Sequence, residues 1–343
     1  MIAWIQNLPR MKWSAREDTP DSHLKKAGTP SMGGLGIVGS ALFCVLGMAS
    51  LHTFFTLRGD TILGSVRPLR WQGAALEFAA TGVFLLLVAA FMLLGFKDDW
   101  SKARGTGGLR ARSKFAWQVV LSALFLGFAY AAVVDIPITG LSLADFQALF
   151  SNNTWLSLLQ VGLPFLLFLV GTCNAVNLTD GIDGLAAGLT VIAGISLALC
   201  DRGVLLDSSW LAVALAGSCL GFLSFNKFPA RVFMGDTGSL ALGAALGMCA
   251  VLSRAVFLLP FIGFIFYVEM FSVIFQVAWF RYTKKKYGEG RRLFRRAPLH
   301  HHYELAGWSE WRVVLTFWAI NLVTSLIGLV LWHMKFIPRW PNY

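Results

Sequence analysis

Residues 73–99 read GAALEFAATGVFLLLVAAFMLLGFKDD. From Phe78 to Phe96 there is no charged side chain, and the run then stops on Lys97, Asp98 and Asp99. A bilayer crossing needs about 20 predominantly apolar residues, and this stretch supplies them. Eight comparable runs lie at about 33–57, 115–134, 155–173, 184–200, 209–223, 238–252, 255–279 and 313–332, the span above being 73–96. Apolar residues make up 56% of the 343-residue chain, more than a soluble domain distributes in such uninterrupted runs. Hydrocarbon offers no partner to backbone amides, so spans must satisfy their own hydrogen bonds. The expected fold is an all-α polytopic membrane bundle of about nine spans. It reads as one membrane domain over 1–343, with a polar N-terminal segment (1–32) and a basic, histidine-bearing loop (280–312).

Lys and Arg set the orientation. With the N-terminus inside, segments 1–32, 97–114, 224–237 and 280–312 hold 22 of the 29 Lys and Arg residues. The C-terminus then lies outside. The formal net charge of +11 becomes a basic cytoplasmic face, suited to anionic lipid and phosphorylated substrates. Because the basic residues are scattered over loops between spans, nucleic acid is a poor partner. Cys44, Cys173, Cys200, Cys219 and Cys249 all fall in or at apolar runs, with no CxxC pair. They read as small buried hydrophobes. The opening MIAWIQNL is too short for a signal peptide's apolar core.

Only 18 Asp and Glu residues occur, and five of them stand where apolar runs stop: Asp98, Asp99, Asp180, Asp183 and Asp236. All five fall on the cytoplasmic side of a topology drawn from Lys and Arg alone. Adjacent helical side chains diverge by about 100°, so Asp98 and Asp99 need not do the same job: one can face the bundle while the other faces the loop; the bland alternative is a solvated helix end with Lys97 as its partner. In NAVNLTDGIDG, the groups Asn174, Asn177, Asp180 and Asp183 recur every third residue and would share one stripe if helical. Gly181 and Gly184 permit a break and a close approach there. In FNKFPARVFMGDTGS, Asn226, Phe233 and Asp236 stand out, and Thr237 and Ser239 are candidate caps for the next helix.

PLHHHYELAGW carries His300, His301 and His302, which cannot all point one way. No cysteine or second histidine cluster lies nearby, so imidazoles meeting a diphosphate fit better than zinc. LKKAGTPSMGG contributes Lys26 and Thr29, and the loop from Lys102 to Lys114 is basic and glycine-rich. Jointly these residues suit a magnesium ion, which takes few carboxylates and keeps waters for substrate phosphates. Phosphoryl transfer depends mostly on positioning and charge neutralisation. No GxxxxGK[ST] loop occurs, which disfavours ATP hydrolysis.

KKAGTPSMGG, GFKDDW, NAVNLTDGIDGLA, FNKFPARVFMGDTGSLALG and PLHHHYELAGW together resemble, in order, the motifs of the phospho-N-acetylmuramoyl-pentapeptide-transferase family. This family lies within the polyprenyl-phosphate N-acetylhexosamine-1-phosphate transferases. The resemblance implies transfer of phospho-N-acetylmuramoyl-pentapeptide from its UDP conjugate to undecaprenyl phosphate, giving lipid I and UMP. It implies Mg2+, a homodimer, and a bacterial inner-membrane location with the site on the cytoplasmic face. By motif, Asp236 resembles the magnesium ligand, Asp98 the group that deprotonates the lipid phosphate, and Asp99 its essential neighbour. Asp183, Asn226 and Phe233 resemble the uridine pocket. Lys26, Thr29, Lys114, Asn174, Asn177, Asp180, Gln276, His300, His301 and His302 resemble the polar lining around nucleotide and sugar. Family members have ten spans with both ends outside; here only MIAWIQNL stands where a first span would be, in keeping with nine.

Two other readings compete. A sister enzyme moving N-acetylglucosamine-1-phosphate to the same lipid shares most motifs, and the histidine loop separates them. A transporter would place charges near the bilayer midplane, where Glu77 and Glu269 are the only deeper acids.

Overall fold

The computed structural model of the protein describes residues 28–58, 71–135, 162–200, 208–253 and 255–337. These contain eleven helices and no strand. In chain order they are α1 (Gly34–Arg58), α2 (Trp71–Ala103), α3 (Ala111–Asp135), α4 (Leu163–Thr179), α5 (Leu185–Cys200), α6 (Ser208–Asn226), α7 (Gly235–Leu252), α8 (Leu259–Ile262), α9 (Phe264–Tyr287), α10 (Leu299–Leu305) and α11 (Glu310–His333). Among the described residues, nine of these are 16 residues or longer and overlie the nine expected runs. Six are long and apolar enough to cross a membrane, and α4 and α5 are shorter apolar helices. The chain is a polytopic helical membrane protein.

The boundaries differ from the hydropathy reading in informative ways. α2 runs through Lys97, Asp98 and Asp99 to Ala103, so the acidic pair sits on helical turns. α9 continues to Tyr287, and RYTKKKY is helical rather than loop. Lys284, Lys285 and Lys286 fall in its last turn, where cations complement the helix dipole. Gly288, at φ 79°, ends it in the left-handed region.

The expected span 255–279 is two pieces, α8 and α9, broken at Gly263. A break at membrane depth exposes backbone groups, and α11 supplies their partners. Asn321 Oδ1 accepts from Ile265 N at 3.2 Å, Asn321 Nδ2 donates to Ile262 O at 2.9 Å, and Ser325 donates to the same carbonyl. Both side chains are buried. Irregular backbone in a membrane is tolerated where protein satisfies it.

The middle of the bundle is α7, buried continuously from Thr237 to Ala250. Lipid tails give no hydrophobic drive between helices, so association relies on close packing at small residues. A Cβ on Gly34 of α1 would overlap the backbone of Gly238, and one on Gly95 of α2 would overlap the Asp236 carbonyl. Those two contacts seat α1 and α2 directly on the start of α7. Large apolar side chains such as Phe43, Leu86 and Leu199 face outward, as a lipid-facing surface requires. All five cysteines are free thiols, four buried and Cys44 exposed.

Candidate active site

Helices α2, α4 and α6 end, and α1, α3, α5 and α7 begin, at one end of the bundle, because the polar motifs that stop each apolar run bond to one another there. Asp236, in the first turn of α7, is the hub. Its Oδ2 accepts from Lys102 Nζ and Lys114 Nζ, each at 2.7 Å, and its Oδ1 accepts from Asn177 Nδ2 at 2.7 Å. Asp98 Oδ2 lies 2.8 Å from Lys102 Nζ and 3.4 Å from Lys114 Nζ, while Oδ1 accepts from Leu109 N at 2.6 Å. Asp98 is only 3% exposed. It is therefore no solvated helix end, and its cations are Lys102 and Lys114 rather than Lys97. Lys102 escaped the motif reading; its signal was the i,i+4 spacing from Asp98.

Asp99 does a different job from its neighbour. Its Oδ1 accepts from Asp236 N at 3.1 Å, and its Oδ2 accepts from Thr237 N at 2.9 Å and Thr237 Oγ1 at 2.6 Å. No side chain of the α7 segment itself caps that helix start. The carboxylate of α2 caps it instead, satisfying orphan amides and meeting the positive end of the dipole. The expectation that Thr237 and Ser239 cap α7 is thus replaced. Thr237 is spent on Asp99, and Ser239 donates to Gly235 O and accepts from Asn177.

The four-member stripe of Asn174, Asn177, Asp180 and Asp183 does not form, because α4 stops at Thr179 and Asp180 takes a non-helical ψ of 55°. Asn174 and Asn177 remain helical, and Asn174 Nδ2 donates to Gln118 Oε1 at 2.6 Å. Asp180 lies in the turn near Gly235. Withdrawal from water, followed by the charges of Asp236 and Asp99, pushes its pKa up to about 8. Asp183 is buried; its Oδ2 accepts from Ala230 N at 2.8 Å, and its own N–H donates to Glu310 Oε1 at 2.7 Å. Asn226, also buried, accepts from Gly184 N at 3.0 Å and donates to Val232 O at 2.9 Å. Asp183 and Asn226 thus clamp the aspartate turn to the loop carrying Phe233. Asn226 has one donor and one acceptor engaged within the protein, which fixes its amide beside the loop that carries Phe233.

That loop is also zipped to the segment around Thr29. Phe233 N donates to Pro30 O at 2.8 Å, Gly33 N to Phe233 O at 2.8 Å, and Gly34 N to Met234 O at 3.0 Å. Phe233 and Thr29 are half-buried. Lys26 lies outside the described residues.

The three histidines diverge. His302 Nδ1 accepts from Arg295 N at 3.1 Å. His301 Nδ1 is 2.8 Å from Glu304 Oε2. Burial, reinforced by His300, pushes the His301 pKa down to about 4 despite the Glu304 carboxylate. His300 is wholly buried against Gly181, where a Cβ would overlap its ring. Gln276 accepts from Leu293 N and Phe294 N and donates to Phe294 O. His300 and Gln276, expected in the polar lining, are packed as supports of the loop, because the loop's backbone needs partners where it folds over α9.

Among the described residues, no cluster of three or more His, Cys, Asp or Glu has metal-holding geometry. The donor chemistry nevertheless fits magnesium. Oxygens of Asp98 and Asp236 converge on one ammonium group at 2.8 and 2.7 Å, so one cation reaches both. The carboxylates of Asp98 and Asp236 share Lys102 and Lys114, and burial, with the neighbouring charges of Asp236 and Asp99 added, holds the Asp180 pKa up at about 8.

Residues 81–254 match the model of the family described as glycosyl transferase family 4. Three relatives, each named phospho-N-acetylmuramoyl-pentapeptide-transferase, were compared. The Geobacillus kaustophilus (strain HTA426) protein is 41% identical over 339 residues, covering 95% of this chain and 91% of that one. The Moorella thermoacetica protein is 43% identical over 344 residues, covering 96% and 92%. The Heliobacterium modesticaldum protein is 42% identical over 336 residues, covering 95% and 91%. The chain belongs to the phospho-N-acetylmuramoyl-pentapeptide-transferase family. It is an enzyme of the glycosyl-1-phosphate transferase kind, which removes the transporter reading. Glu269, deep in α9, lies apart from the acids gathered at the bundle end.

Proposed function

We propose that the protein transfers phospho-N-acetylmuramoyl-pentapeptide from its UDP conjugate to undecaprenyl phosphate, yielding lipid I and UMP. The observation that carries this reading is the convergence of Asp98 and Asp236 on the paired ammonium groups of Lys102 and Lys114. Such a cluster handles a singly protonated phosphate monoester on one side and a diphosphate on the other. Asp98 accepts the proton of the lipid phosphate. An oxygen of that phosphate then bonds to the sugar-side phosphorus of the donor, and the bridging P–O bond breaks with its electron pair leaving on UMP. Lys102 and Lys114 swing from the carboxylates to the phosphate oxygens and offset their charge. Asp236 would hold Mg2+; when bound, the ion neutralises the diphosphate and favours UMP as leaving group. Asp99 acts through α7, keeping Asp236 in place. Phe233, half-buried on the clamped loop, offers an aromatic face to the uracil, supported by Asp183 and Asn226. Asn177, Asp180, Thr29, His301 and His302 line the remaining polar path.

Residues 1–343 form one membrane domain in this proposal, a homodimer in the bacterial inner membrane. The Lys and Arg distribution puts the reaction centre on the cytoplasmic face. The sister N-acetylglucosamine enzyme is the second reading, and the histidine loop and the relatives' names favour the muramyl donor. Sites built on hydrogen bonds reject donors that leave them unpaired by factors far beyond those of apolar pockets. Purified protein is therefore expected to release UMP from UDP-N-acetylmuramoyl-pentapeptide and very little from UDP-N-acetylglucosamine. Equal turnover of the two donors would defeat the muramyl assignment.

A further inference from the structure

Glu269 sits in the second turn of α9 and is wholly buried. Gln276, which pins the loop start at Phe294, lies seven residues further along the same helix. At 1.5 Å rise per residue these positions are about 10 Å apart along the axis. The histidine loop therefore dips into the bundle to reach the glutamate. An ionisable side chain at that depth is costly and calls for a functional explanation.

The contacts supply one. Glu269 Oε1 accepts from the backbone N of His300 at 3.0 Å and lies 3.3 Å from its Nδ1. The other carboxylate oxygen and both ring nitrogens make no hydrogen bond, although all are buried. The opposite side of the imidazole is closed by Gly181, whose missing side chain makes room for the ring. Gly181 stands between Asp180 and Ile182 in the turn that holds Asp180 and Asp183. His300 is thus a wedge with Glu269 behind it and the aspartate turn in front. Its neighbour His301 is turned towards Glu304 and is partly exposed.

We propose that Glu269 is a positioning residue that docks the histidine loop, through His300, onto the aspartate turn. It touches no substrate. It fixes how far His301 and His302 stand from Asp180 and the Asp236 cluster. A misplacement of about 1 Å by a change remote from the chemistry is enough to cost about 10²-fold in rate.

The kinetic arm rests on the transferase reading and uses the full chain in lipid nanodiscs, with UMP release from UDP-N-acetylmuramoyl-pentapeptide and undecaprenyl phosphate. Glu269→Ala is expected to lower kcat about 10²-fold with UMP affinity near that of the unsubstituted protein. Glu269→Gln keeps an oxygen for the His300 N–H and is expected to retain most of the rate. In a double-mutant cycle, losses from Glu269→Ala and His300→Ala should combine to less than their product: His300→Ala keeps the backbone N–H bonded to Glu269 but removes the ring wedged between Glu269 and Gly181, so both variants loosen one seat. Near-normal turnover in Glu269→Ala, equal damage in Glu269→Gln, or multiplicative losses in the double variant would each overturn the proposal. A second arm does not depend on activity. Tryptic cleavage between Arg291 and Arg296 should be faster in Glu269→Ala than in Glu269→Gln or the unsubstituted protein; equal rates would overturn docking even if turnover were as expected. An unsubstituted protein that releases no UMP would instead sink the transferase reading and leave the cleavage arm to decide.

Discussion

Asp98→Asn is expected to reduce turnover about 10²–10⁴-fold, the range that a lost general base covers. Thermal stability and UMP binding should change little. The substitution keeps an oxygen able to accept from Leu109 N, so the turn after α2 stays anchored. Lys102 and Lys114 keep Asp236 as their partner. What disappears is the ability to take a proton at a site touching both ammonium groups. Steady-state UMP release and calorimetric titration with UMP separate these effects. Near-normal turnover of Asp98→Asn across neutral to alkaline pH would remove the base assignment.

Asp99→Ala is expected to be as damaging by a different route. Three donors at the buried start of α7 lose their acceptor at once: Asp236 N, Thr237 N and Thr237 Oγ1. Each buried donor left unsatisfied costs about 1–3 kcal/mol. Loss of the anion at the helix N-terminus adds about 0.3–1 kcal/mol. The melting temperature in detergent should therefore fall together with activity, in contrast to Asp98→Asn. Asp99→Asn restores one acceptor but turns an NH2 group towards donor amides, so it should fall between alanine and aspartate. An unchanged melting temperature for Asp99→Ala would show that the cap contributes nothing and that Asp99 works on substrate after all.

The spans were legible because hydropathy over about twenty residues is an averaged property that tertiary contacts do not alter. The long helices lie where the apolar runs predict them. Their ends were less legible because the polar motifs are themselves helical: α2 carries Asp98 and Asp99 inside its last turns, and α7 begins beside Asp236. The break at Gly263 went unread, since its warrant is Asn321, nearly sixty residues later. Helix geometry allowed Asp98 and Asp99 different partners, and the structure gives them different ones. Which one caps α7 was not legible, because that depends on Gly95 letting α2 approach the Asp236 carbonyl. The internal partners of Asn226, Gln276 and His300 could not be read from the sequence, because polar residues in motifs carry no mark of what they face. In the fold they hold Gly184, Phe294 and Glu269 in place.

The most direct test of the central claim follows both products together. Purified protein, UDP-N-acetylmuramoyl-pentapeptide, undecaprenyl phosphate and magnesium are incubated, and UMP and the lipid-linked product are quantified by mass spectrometry. The account predicts that the two appear in equal amounts, that omitting the lipid phosphate removes both, and that a chelator suppresses both until magnesium is restored. UMP formed without lipid phosphate, or undiminished product in the presence of chelator, would contradict it.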